Sequence, residues 1–157
     1  MKRDWGIVAV FDFDGDEKAD LLWRHVESGA LVIWLMDGAA VKHRGAVADS
    51  SEEEWQVVGG GDFNGDGKGD ILWRNFQSGE LTLWLVDSLT VRSVSPAGVI
   101  PDVDWAIEAF GDFNGDGLAD LAGRHDVSEE AALWPTAGGK VGESVDLGPV
   151  GRQFFLW

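Results

Sequence analysis

The chain has 157 residues, 45% of them hydrophobic, with nine Trp, no Tyr, no Cys and a formal net charge of −16 at pH 7. This length gives one domain with a real core, and the charge excludes nucleic acid and disfavours anionic membranes, because nothing here neutralises phosphates. The missing Cys removes disulfides, zinc thiolates and thiol nucleophiles, and no apolar run reaches the roughly 18 residues that would predict membrane insertion.

Met1-Lys2-Arg3-Asp4-Trp5 enters the sequence pattern at once, which predicts either an intracellular protein or a piece of a longer exported chain. Asp12 to Asp20 (DFDGDEKAD) is the first of three nine-residue strings; Asp62 to Asp70 (DFNGDGKGD) and Asp112 to Asp120 (DFNGDGLAD) follow at a fixed interval of 50 residues. Side-chain oxygens stand at positions 1, 3, 5 and 9 of each: Asp12, Asp14, Asp16 and Asp20; Asp62, Asn64, Asp66 and Asp70; Asp112, Asn114, Asp116 and Asp120. A hard cation such as Ca²⁺ takes about six to eight oxygens, and a short loop can turn alternate side chains inward to supply them. The pattern predicts up to three structural Ca²⁺ per chain. An EF-hand is excluded, because that loop needs a Glu at position 12 and flanking helices, whereas position 12 here is Trp23, Trp73 or Gly123.

Self-similarity extends beyond the loops. Trp5, Trp55 and Trp105 open the units, Arg24, Arg74 and Arg124 follow the loops, and Trp34, Trp84 and Trp134 come ten residues later. The units fall at about 1–50, 51–100 and 101–150 of a single repeat domain, 1–157. Residues 151–157 supply a closing strand or begin a further unit. In the second unit, strands are predicted over Trp55 to Gly60, Asp70 to Asn75, Glu80 to Val86 and Val91 to Val94, separated by Gly/Asp/Ser turns. The third of these is apolar on both faces, Leu81, Leu83 and Leu85 against Trp84 and Val86, so both faces must be covered. Four strands in a period of about 50 predict an all-β fold, a β-propeller with three four-stranded blades per chain. Three blades fall short of the usual four to eight. The ring is expected to be completed by a homo-dimer or larger oligomer, or to belong to a longer propeller. The third unit is eroded: Gly123 replaces Trp23 and Trp73, and Pro135 follows Trp134.

The loop string, the following ILWRN and the later LWL resemble the FG-GAP/VCBS calcium-loop repeats, which include blades of integrin α-subunits and of propeller lectins. The resemblance covers residues 4–150. It implies Ca²⁺ held by positions 1, 3, 5 and 9 together with the carbonyl of position 7, here Lys18, Lys68 and Leu118. It also implies an extracellular or cell-surface setting. Glu17 departs from the pattern, standing where the other loops have Gly67 and Gly117; a positive φ there would cost on the order of 1 kcal/mol.

The resemblance gives a carbohydrate-binding module as the first expectation, with a glycan as partner, and a protein-interaction or adhesion scaffold with a protein ligand as the alternative. No ligand-binding residue is singled out, since most Trp are expected to pack between blades. Arg24, Arg74 and Arg124 are expected to pair with nearby Asp. No catalytic residue is assigned and an enzyme is not expected. His25 and His125 read as one polar repeat position shared with Asn75, and a hydrolase would need acids outside the loops, such as Glu80 or Glu108.

Overall fold

A computed structural model describes residues 4–49 and 54–150. The segment 151–157, expected to close the ring or start another unit, lies outside the described residues. Alternating β-branched, aromatic and Leu residues between Gly-rich turns give strands throughout, and no helix occurs among the described residues. The first sheet is β1 (Trp5–Phe11), β2 (Asp20–His25), β3 (Ala30–Asp37) and β4 (Ala40–Asp49). The second is β5 (Trp55–Gly61), β6 (Asp70–Asn75), β7 (Glu80–Asp87) and β8 (Thr90–Val99). Each is an antiparallel meander in chain order.

The third sheet pairs β9 (Trp105–Gly111), β10 (Asp120–His125), β11 (Glu130–Trp134) and β14 (Val145–Pro149). Pro135 ends β11 one residue after Trp134, because it has no N–H for the ladder. A small hairpin, β12 (Thr136–Ala137) and β13 (Lys140–Val141), fills the gap before β14. The fourth strand of the second unit, expected over Val91 to Val94, runs further, from Thr90 to Val99. Register shifts at Leu81/Thr82 and Leu85/Val86 keep it paired past Pro96, which an edge strand tolerates.

The core lies between sheets, not within one. Leu22, Leu31 and Ile33 of the first sheet pack against Ile71, Trp73 and Val86 of the second. Leu72, Leu81 and Leu83 on the opposite face of the second sheet pack against Leu121, Ala132 and Trp134 of the third. Each junction thus sets a Trp-bearing face against a leucine-rich face of the preceding sheet, and the two-sided apolar strand β7 is covered on both sides. No closed ring exists among the described residues. Phe13 and Phe63, at position 2 of their loops, are 0% and 2% exposed, whereas Phe113 is 52% exposed.

Candidate metal centres

Each nine-residue loop joins the first two strands of its sheet, and its polar side chains hold the turn by taking backbone N–H groups. At position 1, one carboxylate oxygen accepts from position 4 (Gly15, Gly65 and Gly115, each 2.7 Å). The other accepts from position 6 (Glu17 at 2.7 Å, Gly67 and Gly117 at 2.9 Å). Position 3 accepts from position 5 at 3.2 Å in all three loops, and position 5 accepts from position 7 at 2.9 Å. Position 6 requires the left-handed region: φ is 80° at Gly67, 85° at Gly117 and 69° at Glu17. Glu17 therefore adopts the strained conformation its place in the pattern demanded.

Position 9 begins the second strand and is buried, with Asp20, Asp70 and Asp120 at 0%, 0% and 2% exposure. Asp20 and Asp70 bridge their loops to the third strand, and Asp120 bridges its loop to the start of the β12 hairpin. Asp20 accepts from Phe13 and Met36 (both 2.8 Å), and Asp70 from Phe63 and Val86 (both 3.0 Å). Asp120 accepts from Phe113 at 3.1 Å and Thr136 at 2.9 Å. Burial pushes the Asp70 carboxyl up to about 7; the N–H groups of Val86 and Phe63 oppose the rise, and the charges of Asp66 and Asp62 add to it. Burial likewise raises Asp20 against the N–H groups of Met36 and Phe13. A buried carboxylate among other carboxylates is costly unless a cation or a proton joins it.

Ligand atoms of Asp62, Asp66 and Asp70 lie within 4.8 Å of one another, as do those of Asp112, Asp116 and Asp120 and those of Asp12, Asp14 and Asp20. These all-oxygen clusters, each with one buried carboxylate, fit a hard divalent cation. The Lys18 and Lys68 ammonium groups leave the loops for Asp37 (2.7 Å) and Asp87 (2.8 Å).

The first loop differs in one respect that its sequence does not disclose. Lys42 of β4 places its ammonium 2.7 Å from Asp14 Oδ2 and 2.8 Å from Asp16 Oδ2. In the second loop Asn64 Nδ2 faces Asp66 Oδ2 at 3.4 Å; Asp14 has no such donor, and Lys42 supplies it. The Lys42 hydrogen bond, followed by the Lys18 N–H, holds the Asp16 carboxyl below the usual range. The extra carboxylate of the first loop is thereby offset by one tethered positive charge.

The arginine expectation is corrected at Arg74 and Arg124. Arg74 is 1% exposed and donates to the carbonyls of Ile100 (2.8 Å), Asp102 (3.0 Å) and Trp105, tying the second sheet to the connector that leads into the third. Carbonyls suit a buried guanidinium because they satisfy its fork without burying a second charge. The Arg24 guanidinium lies 5.2 Å from the Trp73 ring centroid, and Arg124 approaches Glu108, not an Asp, at 3.9 Å.

The histidine position serves turns. Ser28 N–H donates to His25 Nδ1 (3.1 Å), Val127 and Ser128 N–H donate to His125 Nδ1 (3.2 and 3.1 Å), and Gln77 and Ser78 N–H donate to Asn75 Oδ1. Sequence reasoning missed that Asp102, Asp104 and His125 converge. Their 2.9 Å contact, His125 Nε2 to Asp102 Oδ2, uses the nitrogen a metal would need. With Nδ1 accepting from the backbone, a neutral ring carries its proton on Nε2 and donates it to Asp102. Glu80 and Glu108 are exposed on separate sheets.

Among the described residues, no helix is long and apolar enough to cross a membrane. No curated protein and no solved structure matches the chain. The FG-GAP-like repeat, a unit of β-propeller-like interaction and adhesion modules typical of extracellular or surface proteins, matches residues 12–73 and again 62–123. With three sheets built to one plan and that match spanning most of its length, the chain belongs to the FG-GAP-like repeat family.

Proposed function

We propose that the chain is a calcium-stabilised, β-propeller-like binding module for carbohydrate, its sheets serving as blades over about 1–50, 51–100 and 101–150. Calcium is structural in this reading. The loops direct their oxygens inward, and an ion so enclosed stiffens the turn between the first two strands of a blade without meeting a substrate. The side-chain ligands are positions 1, 3, 5 and 9 of each loop, with the carbonyls of Lys18, Lys68 and Leu118.

The observation that carries the sugar reading is a groove of about 700 Å³ between the second and third sheets. Half-buried Trp105 gives it an aromatic wall, Val99, Pro101 and Val141 widen the apolar surface, and Asp102, Glu143 and Ser144 supply polar groups at its edge. A sugar presents an apolar C–H face ringed by hydroxyls, and a concave site with few polar groups around an aromatic surface complements it. Glycan-array screening followed by calorimetric titration in saturating calcium tests this. Binding is expected, and Glu143→Gln should weaken it about ten- to a hundredfold, the worth of one hydrogen bond to a charged group. An array without hits in saturating calcium refutes it. A protein partner is the second reading, favoured by the net charge of −16, which selects basic surfaces; its mark is capture that weakens steeply with salt.

A further inference from the structure

The two junctions between sheets repeat one another closely enough to identify what covers the faces that the described residues leave open at either end. At the first sheet the open face carries Trp5, Trp23, Val32 and Trp34 around an apolar hollow of about 370 Å³. Trp5 is 43% exposed, whereas Trp73 and Trp134, on the same face of the later sheets, are 2% and 5% exposed. At the third sheet the open face is the leucine-type one. Leu22 and Leu72 are 0% and 1% exposed, but their equivalent Ala122 is only half-buried, and Phe113 stands open.

Polar contacts repeat with the same offset. The Gly69 N–H donates to the Asp12 carbonyl and the Ala119 N–H to the Asp62 carbonyl, both at 2.7 Å. Ala19, at the equivalent position of the first loop, is exposed. Lys68 of the second loop lies over Gly15 of the first, 3.4 Å from where a Cβ would sit, and Leu118 lies over Gly65 at 3.5 Å; among the described residues nothing lies within 4 Å of that point at Gly115.

We infer that the Trp5/Trp23/Trp34 face of one chain docks on the Phe113/Ala122/Leu133 face of a second copy, head to tail, through the junction the chain already makes twice internally. The inference rests on the propeller reading of the sheets and names the partner that completes it. The open aromatic face of the first sheet is thus chiefly a protein contact, as its two covered counterparts are, and the groove proposed for sugar lies beside one such junction. In the new junction Ala19 N–H reaches the Asp112 carbonyl and Lys18 lies over Gly115. A head-to-tail contact closes into a ring only if the rotation returns to its start. With the three described sheets in each copy, six is the only multiple of three within the four to eight blades that propellers use, so two copies close the ring.

Light scattering or native mass spectrometry of the full chain in calcium tests this. The expected mass is twice the 17.0 kDa of one chain. Phe113→Asp and Trp5→Asp should each halve it, and their mixture should recover a pair, because one junction between them keeps both native faces. Phe113→Asp carries the test alone if Trp5→Asp does not fold. A wild type that stays at 17.0 kDa overturns the inference, as does a Phe113→Asp variant that still pairs, which would mean Trp face against Trp face. A single-chain wild type whose melting temperature still rises with calcium would sink the pairing and leave the metal and binding readings standing.

Discussion

At the scale of single residues, the loops are held by carboxylates that serve as acceptors for backbone N–H groups, so their own hydrogen bonds form the turn. The alternate oxygens were legible because a turn that presents every second side chain inward leaves a period of two in the sequence. Lys42 was not: it comes from β4, across two hairpins, and only the pairing of β3 with β4 brings it over Asp14 and Asp16. Its role has a test. In chelator, Lys42→Ala should lower the melting temperature, because Asp14 and Asp16 are left facing each other uncompensated. On an Asp14→Asn background, which restores the amide donor of the second loop, the same substitution should cost little. Equal losses on both backgrounds, measured by calorimetry, would mean that Lys42 does not act through Asp14. Arg74 escaped sequence reasoning for the same cause, since its acceptors are carbonyls about 30 residues ahead, and carbonyls have no signature in the side-chain code.

At the scale of elements, strand positions were readable from alternation and turn chemistry, and β6 follows its expected bounds. The far end of β8 was not, because its continuation past Pro96 depends on bulges that cross-strand packing decides. The third sheet shows how a lost side chain is absorbed. Where Trp23 meets Trp34 and Trp73 meets Trp84, at 5.1 and 4.8 Å between ring centroids, Gly123 has nothing to offer. Trp134 instead meets Trp105 edge-on at 5.1 Å, and the backbone has closed in. A Cβ on Gly123 would lie 2.6 Å from the Ala106 carbonyl oxygen and 3.1 Å from the Trp134 ring. Gly123→Trp, although it restores the repeat, should therefore destabilise the protein by about 1–3 kcal/mol or more through overpacking. Urea unfolding that showed a gain would contradict this packing.

At the scale of the whole molecule, the all-β class and the repeated four-stranded sheets were visible in the spacing, while the faces that meet between sheets became visible only with coordinates. Calcium should hold this assembly of thin sheets together. At free calcium of 100 times Kd, each occupied loop adds about 2.7 kcal/mol, so chelation is expected to lower the melting temperature by many degrees. Identical melts with and without chelator, after ion removal verified by elemental analysis, would show that the clusters hold no metal.

The hydrogen bonds from Gly69 to Asp12 and from Ala119 to Asp62 lead further. The acceptor in each is the main chain of the residue that opens the neighbouring loop, so a shift in one turn is passed to the next like tension along a string of beads. On the calcium reading proposed above, sites joined in such a row are expected to fill cooperatively, and a calcium titration that fits independent sites would contradict this coupling.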